Sequence, residues 1–319
     1  MITGDTPLPL IIVNPKSASG STRERWSETA SDFRAHFGPF SVAFTKGPGD
    51  GIDLARRAAE SGRGFIIACG GDGTVNEVAN GILLSGEDVE LGVLPSGTGG
   101  DFRRTLGIPC PNRDAAAALR SGRTRRIDVG KVSFSDHDGR QTSRYFVNVS
   151  SVGLAAEIIK RVKSTKVFDW LPVESARGRA NFAASTLQEI VGIKPYTVRV
   201  RFDDRDERSL QTIAFCVCNS RYFGGGMMIA PNARLGDARL DVVNIGDLGT
   251  ARILLNAYSI YSGSHQKLDE VRSTLVSRVE IAAADPSQTI LLETDGELPG
   301  RLPAVYEIVP AALRVRFRI

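Results

Sequence analysis

Two short segments of the sequence combine glycine with carboxylate side chains, and both could take part in phosphoryl chemistry. The first is Gly70-Gly71-Asp72-Gly73-Thr74, which follows the apolar run at 65–69. Glycines let consecutive backbone N–H groups converge on an anion, and a helix that starts there adds its positive dipole end. A carboxylate in such a loop repels a phosphate unless a divalent cation or a proton transfer is involved, so Asp72 favours chemistry over mere binding. The alternative is a glycine turn that only joins a strand to a helix.

The second segment is Asp295-Gly296-Glu297, which follows the apolar run at 290–292. Two carboxylates around a glycine at a strand end could accept a proton from a substrate. A type I turn also favours Asp and Gly for reasons unrelated to catalysis, so a structural interpretation stands beside the chemical one.

The first segment needs strands and helices to position it. Besides 65–69, apolar runs predict strands at 8–13, 41–45 and 91–94. Helices are predicted over 22–37, over 50–59 with Asp50 as N-cap, over 74–84 and over 112–120. Strands that alternate with helices predict a parallel sheet, and ligands of such sheets collect outside the carboxyl ends of the strands. We therefore expect Asn14, Thr45 and Gly70 to converge.

Two more loops at strand ends could bind phosphate. One runs from Asn14 through Pro15, Lys16 and Ser17 to Gly20, although Lys16 could equally be solvated. The other is Pro95-Ser96-Gly97-Thr98-Gly99-Gly100-Asp101. Asp101 could reach a metal or a substrate hydroxyl, or cap the next helix, and Arg103 and Arg104 could bind phosphate or lie on the surface.

From Ile127 onward the pattern changes to strands with few helices, which predicts a second, β-rich domain with a boundary near 126–133. Strands are predicted at 127–132, 145–149, 197–202, 212–218, 240–245, 304–309 and 313–319, with a basic turn at 123–126, a hairpin turn at 135–139 and helices at 154–162 and 180–191. The last two strands could return to either domain. Phe168 and Trp170 lie among basic residues, which indicates a membrane-facing rim or ordinary core packing. Asp237 and Asp241 could bind a metal, or end a turn and start a strand.

Composition is that of an ordinary globular protein. Hydrophobic residues make up 42% of 319 residues and the mean hydropathy is -0.09, so we expect no uncharged span of 18 residues and a cytoplasmic location. The net charge of +4 suits an anionic nucleotide or membrane surface but gives no specific indication of nucleic acid. The four cysteines lack metal-site spacing and are predicted to be reduced and mostly buried, and the three histidines are predicted to be structural or on the surface.

Taken together, the motifs resemble the diacylglycerol kinase catalytic family, which includes bacterial diacylglycerol kinase-like proteins and sphingosine kinases. The resemblance covers nearly the whole chain in five ordered pieces: 14–20, 70–77, 97–102, 222–231 and 295–297. It implies an α/β fold with two domains. A Rossmann-like nucleotide-binding domain, similar to those of NAD kinase and phosphofructokinase, would span 1–130, and a β-sandwich-like lipid-substrate domain would span 131–319, with the active site in the cleft between them.

The resemblance also assigns residues. The ATP contacts would be Asn14, Pro15, Lys16, Ser17, Gly20, Thr45, Gly70, Gly71, Asp72, Gly73, Thr74, Asn76, Glu77, Gly97 and Thr98. Glu297 matches the general base, and Asp72 and Asp295 would position magnesium or the acceptor hydroxyl. A structural Mg²⁺ would be held by Asp237 and the carbonyls of Arg234 and Arg239. Gly100 stands where many relatives have Asn, which removes a side-chain contact.

The resulting hypothesis is an ATP- and Mg²⁺-dependent kinase of a primary hydroxyl on a diacylglycerol-like or sphingoid lipid. Such an enzyme would contact the inner face of the membrane transiently, without nucleic acid as a partner, and whether it forms a homodimer stays open. Two alternatives remain: a kinase of a soluble polyol or dinucleotide, and a nucleotide- or lipid-binding protein that has lost catalysis. Retention of Asp72, Asp295 and Glu297 argues against the last.

Overall fold

Residue contacts divide the chain into two units. The computed structural model describes residues 7–96, 100–109, 112–164, 186, 188–192 and 194–317. Unit 1 comprises Met1–Val129 together with Pro310–Ile319, and unit 2 comprises Gly130–Val309. The chain thus returns to unit 1 at its end.

Unit 1 is built on a parallel sheet. Its strands are β1 (Leu10–Val13), β2 (Ser41–Phe44), β3 (Phe65–Gly70) and β4 (Glu90–Pro95), in the spatial order β4-β3-β1-β2. All three pairings are parallel, with Ile12 opposite both Ala43 and Ala68. Strands β1, β3 and β4 are buried almost throughout, as expected for a parallel sheet with helices on its faces. The α/β fold predicted for this part of the chain is confirmed.

The helices of unit 1 are α1 (Ser21–Glu24), α2 (Trp26–His36), α3 (Asp50–Glu60), α4 (Asp72–Ser85), α5 (Asp101–Thr105) and α6 (Asn112–Ser121). The single helix predicted over 22–37 is wrong in one respect, because the helix is interrupted at Arg25. Asp50 is the first residue of α3 rather than its N-cap, which is Gly49 at φ 83°. The Asp50 carboxylate instead accepts a hydrogen bond from the Lys46 N–H at 2.8 Å.

The last strand of the chain carries its end back to unit 1. The two strands predicted at 304–309 and 313–319 form one strand, β15 (Glu297–Phe317), whose Arg314 and Val315 pair in parallel with β4. Ala311, at φ 50°, donates its N–H to the Asp128 carboxylate at 2.8 Å, so the irregular backbone after Pro310 does not end the strand. Arg316 then makes a bidentate pair with buried Glu90, with both N–O distances at 2.7 Å.

Unit 2 consists mainly of antiparallel strands. Those before β15 are β5 (Arg123–Ser135), β6 (Gln141–Phe146), β7 (Val149–Gly153), β8 (Tyr196–Phe202), β9 (Arg208–Thr212), β10 (Ala214–Cys218), β11 (Leu240–Ile245), β12 (Val271–Val276), β13 (Arg278–Ala283) and β14 (Leu291–Thr294). One layer runs β12-β11-β10-β7-β14-β15, and a second contains β9-β8-β13 and β5-β6, both attached to β15. Phe215 and Val242 of the first layer share a core with Val200 and Ile281 of the second. This arrangement confirms the β-sandwich-like fold.

Several predicted boundaries after residue 122 are wrong. The basic turn expected at 123–126 is the start of β5, where Arg126 pairs with Asp88 at 2.7 Å. The run 145–149 belongs to two strands, because β6 ends at Phe146 and β7 begins at Val149. Likewise, 212–218 divides at Ile213 between β9 and β10. Short apolar runs show that strands exist, but they do not show where the chain turns.

Helices in unit 2 include α7 (Leu154–Ser164), α8 (Thr250–Asn256) and α9 (Ser259–Ser262). Residues 188–192 are helical, as predicted. Phe168 and Trp170 lie outside the described residues, so their prediction stays untested. None of the described helices is long and apolar enough to cross a bilayer. Cys69, Cys216 and Cys218 are buried free thiols, as predicted, and burial raises the pKa of Cys69 to about 12; Cys110 lies outside the described part.

Candidate active site

The carboxyl edge of the parallel sheet gathers the predicted loops of unit 1. Asn14 donates its backbone N–H to the Cys69 carbonyl at 3.0 Å, and Thr45 donates to Val13 at 2.9 Å. The backbone N–H of Ser96 reaches the Gly70 carbonyl at 3.0 Å. These bonds extend the ladders past the strand ends, so the residues after β1, β2, β3 and β4 lie side by side. The expected convergence of Asn14, Thr45 and Gly70 is confirmed.

The loop after β1 is fixed by its own polar residues. The Asn14 side chain accepts the Lys16 N–H at 3.0 Å and donates to the Thr74 hydroxyl at 3.2 Å, which connects this loop to α4. Ser17 donates to the Asn14 carbonyl at 2.8 Å, and a short 3-10 helix at Ser17–Gly20 follows. Pro15 is half-buried, whereas the Lys16 side chain is exposed. The loop is therefore rigid at its base, with a cation at its surface.

The glycine loop after β3 leads directly into α4. Helix α4 begins at Asp72, two residues earlier than predicted, with Gly71 at the N-cap and no side chain capping its first turn. A Cβ atom on Gly70 would lie 2.4 Å from the Thr74 hydroxyl, so glycine is required for this close approach. Gly73 lies in the first turn. The uncapped N–H groups of a 14-residue helix make this end suitable for an anion such as a phosphate.

Asp72 uses its carboxylate to hold the third loop. One oxygen accepts the backbone N–H groups of Gly100 at 2.8 Å and Asp101 at 3.0 Å, and the other accepts that of Phe102 at 3.1 Å. These groups form the start of α5, whose positive end favours a carboxylate. Asp72 therefore connects the second and third sequence motifs, a role that its place in the sequence did not reveal.

Glu77 and Asn76 also bind other parts of unit 1. The Glu77 carboxylate accepts the N–H of Gly49 at 2.7 Å and of Gly51 at 3.0 Å, which satisfies the start of α3. Asn76 is buried and accepts a hydrogen bond at its side-chain oxygen from Asn80 at 3.1 Å. Both residues thus have structural contacts in positions where nucleotide contacts were predicted.

The third loop is described only from Gly100 onward, so the predicted contacts of Gly97 and Thr98 lie outside the described residues. Gly100 is in the left-handed region at φ 73°, a conformation that asparagine also tolerates. Asp101 is the first residue of α5 rather than its cap, and it pairs with Arg104 at 2.8 Å. Arg103 donates to the Ile108 carbonyl at 3.0 Å.

In unit 2, Asp295 and Gly296 form the two-residue turn between β14 and β15. Both have positive φ, 46° and 91°, as in a type I′ turn rather than the type I turn considered from the sequence. The buried Asp295 carboxylate accepts three backbone N–H groups, from Val147 at 2.8 Å and from Asn148 and Val149 at 3.0 Å. It thereby fixes the hairpin to the start of β7.

Glu293 is a buried carboxyl group that sequence reasoning missed. It accepts hydrogen bonds from the Ser151 hydroxyl at 2.7 Å and from the Gly296 N–H at 2.6 Å. Burial raises its pKa to about 8, and repulsion from Asp295 and Glu297 adds to the shift. The sequence offered no local signal for this burial, because it results from the pairing of β14 with buried β7, which places Glu293 opposite Ser151.

Glu297 is the first residue of β15 and is exposed, whereas Glu293 and Asp295 are buried. The hairpin therefore places one accessible carboxylate beside two that are held by backbone and hydroxyl donors. Of these three carboxyl groups, Glu297 is therefore the one that solvent reaches.

The acidic turn predicted to hold Mg²⁺ precedes β11. Asp237 is exposed and accepts the Arg239 N–H at 3.2 Å, and Ala238 between them has φ 58°. Burial, together with the nearby Asp237 charge, raises the pKa of Asp241 to about 6, while Arg234 opposes the shift. The raised pKa means that the positive charge near Asp241 does not balance the two carboxylates. A bound cation would supply that charge, and carboxylate and carbonyl oxygens are the ligands that a hard metal ion prefers. Among the described residues, no group of three or more His, Cys, Asp or Glu side chains is arranged so that it could hold a metal ion.

The two units define a protein with an α/β domain followed by a β-sandwich-like domain. Residues 9–132 match the model of the diacylglycerol kinase catalytic domain, and 148–317 match that of the YegS C-terminal NAD kinase beta sandwich-like domain. The chain belongs to the diacylglycerol kinase family, a class of phosphotransferases with an alcohol group as acceptor.

Named relatives agree with this assignment. A diacylglycerol kinase from Mycobacterium tuberculosis is 30% identical over 83% of this chain and 81% of its own length. One from Bacillus subtilis is 28% identical over 93% and 91%. A crystal structure of a diacylglycerol kinase from Bacillus anthracis has a TM-score of 0.70 at 21% identity and covers 98% of both chains, which supports the fold. Membership of a kinase family implies ATP as the phosphoryl donor.

Proposed function

We infer that this protein transfers the γ-phosphoryl group of ATP to a primary hydroxyl of a diacylglycerol-like or sphingoid lipid. The observation that carries this proposal is the 293–297 hairpin, in which Glu297 is exposed while Glu293 and Asp295 are buried and fixed. An alcohol is a poor nucleophile, and a positioned carboxylate that accepts its proton is what the reaction requires.

In this proposal, the nucleotide binds at the carboxyl edge of the unit 1 sheet. The uncapped start of α4 and the rigid loop after β1 supply N–H groups for the phosphates, and exposed Lys16 supplies a cation. Asp72 and Glu77 act by holding the neighbouring loops in place. Mg²⁺ would neutralise phosphate charge when bound, and Asp237 with the carbonyls of Arg234 and Arg239 would hold the separate structural ion.

In the chemical step, the acceptor of the hydroxyl proton is a residue of this chain. The lipid hydroxyl oxygen forms a bond to the γ-phosphorus while the bond from that phosphorus to the β-phosphate oxygen breaks. The hydroxyl proton passes to the Glu297 carboxylate, and ADP leaves. Asp295 and Glu293 keep the hairpin in position, and neither takes the proton.

Contact with the inner face of the membrane follows from a lipid substrate. Helices α8 and α9 support this proposal because Leu255 and Tyr258 are each 83% exposed and Tyr261 is 50% exposed. Tyrosine is enriched where membranes meet water, since its ring is apolar and its hydroxyl polar.

The experiment that tests the proposal is a phosphotransfer assay with labelled ATP and a mixed lipid extract, followed by mass identification of the labelled products. We expect label in a phospholipid that forms from diacylglycerol or a sphingoid base. Label in a soluble polyol or dinucleotide, with none in lipid, would replace this function by the soluble-kinase alternative. Nucleotide binding without transfer to any acceptor would indicate a protein that has lost catalysis.

A further inference from the structure

Unit 2 contains a pocket whose lining residues belong to none of the motifs discussed above. It opens between β9 and β12, the edge strands of the two layers, and has a volume of about 300 Å³. We call it the edge pocket; its main lining residues are Phe202, Leu210, Val242, Arg208, Asn244 and Arg272. A volume of this size lies at the lower end of ligand pockets and suits a small molecule or a headgroup.

The floor of the edge pocket is apolar. Phe202 and Val242 belong to the sandwich core, and Leu210 packs against the same core. The Arg208 guanidinium lies 4.8 Å from the centre of the Phe202 ring. Stacking of this kind uses the face of the guanidinium and leaves its N–H groups available at the edge. Arg208 is therefore held in place while its donors remain free for a ligand.

The pocket is positively charged. Arg208 and Arg272 come from opposite layers, and neither forms an ion pair within the described part of the chain. The nearest acidic residues in sequence have other partners: Glu207 pairs with Arg199 at 3.5 Å, and Glu270 pairs with Arg252. Two guanidinium groups at one pocket, without carboxylates to balance them, favour an anion.

Asn244 forms part of the wall of the edge pocket. The residue is 9% exposed and donates through Nδ2 to the Gln211 carbonyl at 3.2 Å, which fixes the orientation of the amide. Its Oδ1 atom is buried and out of reach of solvent, so the two arginines are the residues that supply polar contacts to a ligand.

We propose that the edge pocket binds a small phosphate ester. The phosphate contacts Arg208 and Arg272, and the carbon skeleton lies on Phe202 and Leu210. The same chemistry occurs in soluble glycerol phosphates and in the headgroup of phosphatidylglycerol. This inference does not depend on the proposed kinase reaction.

The test measures binding of sn-glycerol 3-phosphate and inorganic phosphate to the full chain by calorimetry, and binding of phosphatidylglycerol and phosphatidylcholine vesicles by sedimentation. We expect Arg208→Gln and Arg272→Gln each to weaken binding of a glycerol-phosphate probe about tenfold, because each removes a charge-assisted hydrogen bond. The matched control is Arg205→Gln, which removes the same charge from an exposed position outside the pocket and should bind as wild type.

The probe whose binding depends on the arginines shows whether the ligand is a soluble ester or a lipid headgroup. Arginine-dependent binding of soluble glycerol 3-phosphate supports a soluble ester, and arginine-dependent binding of phosphatidylglycerol vesicles alone supports a lipid headgroup. Wild type should bind glycerol 3-phosphate more tightly than inorganic phosphate, because its carbon skeleton covers the apolar floor. The proposal is overturned if both arginine variants bind every probe like Arg205→Gln, or if wild type does not discriminate between the two phosphates. Glu297→Gln should leave all these affinities unchanged, so a failed kinase assignment cannot be confused with a failed pocket.

Discussion

Glu77 and Gly51 approach each other more closely than any residue with a side chain at position 51 would allow. The Gly51 N–H donates to the Glu77 carboxylate at 3.0 Å, and a Cβ atom on Gly51 would lie 2.5 Å from Oε2 and 3.0 Å from the Glu77 Cβ. The start of α3 and the first turns of α4 are thus fitted together through one carboxylate, which explains why a glycine stands inside a helix.

Gly51→Ala should therefore destabilise the protein by roughly 1–3 kcal/mol, since the methyl group forces the Glu77 side chain or the helix to move. Equilibrium unfolding in urea measures the change. Combining it with Glu77→Ala should give less than the sum of the two single effects, because the alanine at 77 removes part of the clash.

Gly64→Ala is the matched control, since nothing lies within 4 Å of a Cβ there and its φ is not positive. Its effect should stay within about 0.5 kcal/mol. Strict additivity of Gly51→Ala and Glu77→Ala would show that the two residues are not coupled.

The sequence identified the sheet edge but not the contacts within it. Apolar runs before Asn14, Thr45 and Gly70 were sufficient to predict parallel strands, because such strands are buried on both faces. The role of Asp72 could not be predicted, since its partners at 100–102 are backbone N–H groups and carry no side-chain signal. A carboxylate in a glycine loop looks catalytic, but here its oxygens hold another helix.

The 293–297 hairpin shows a second limit of sequence reasoning. Asp-Gly predicted a turn, and Glu297 was chosen by resemblance, but no local pattern distinguishes a buried glutamate from an exposed one on a strand. Glu293 is buried because β14 pairs with β7 and places it opposite Ser151. That pairing joins residues more than 140 positions apart, so it is a property of the fold rather than of the segment.

Asp72→Ala should lower the free energy of unfolding by roughly 1.5–3 kcal/mol, since it leaves the first N–H groups of α5 without their charged acceptor. Asp72→Asn keeps one acceptor oxygen and should cost less. Urea unfolding checks both values, with Asp53→Ala, an exposed partner of Arg56, as control. Unchanged stability of Asp72→Ala would contradict the role assigned to this carboxylate.

Glu297→Gln should lower kcat by roughly 10²–10⁴-fold, because the amide cannot accept the proton of the lipid hydroxyl. Its stability should change by less than about 0.5 kcal/mol, since the side chain is exposed. Steady-state assays on lipid vesicles measure kcat, and Glu207→Gln, at an exposed position of the same unit, is the control. Full activity of Glu297→Gln would exclude it as the base.

Replacement of Leu255 and Tyr258 by Ser should weaken binding to lipid vesicles about tenfold, because it removes apolar area that would enter the interface. Sedimentation with vesicles measures the affinity, and ATP binding should be unaffected. Leu84→Ser is the control, since Leu84 is an exposed leucine of unit 1, 58% accessible. Equal vesicle binding by the double variant and Leu84→Ser would remove α8 and α9 from the membrane surface.

Glu293 should make stability fall as pH rises. Burial raises its pKa from 4.5 to about 8, so between these values the folded protein holds a proton that the unfolded chain has lost. The stabilisation is fully present below pH about 4.5 and disappears as pH approaches 8, with a limiting slope of about 1.4 kcal/mol per pH unit. Glu293→Gln, which resembles the protonated carboxyl group, should remove this contribution.

Urea unfolding from pH 5 to pH 9 tests this expectation. The two proteins should have similar stability at pH 5, and Glu293→Gln should become the more stable one above pH 8. The difference between the two curves isolates Glu293, because other titrating groups such as Asp241 contribute to both proteins. Parallel curves over the whole range would mean that Glu293 is already ionised at neutral pH, which would make it a second carboxylate of the hairpin able to accept a proton.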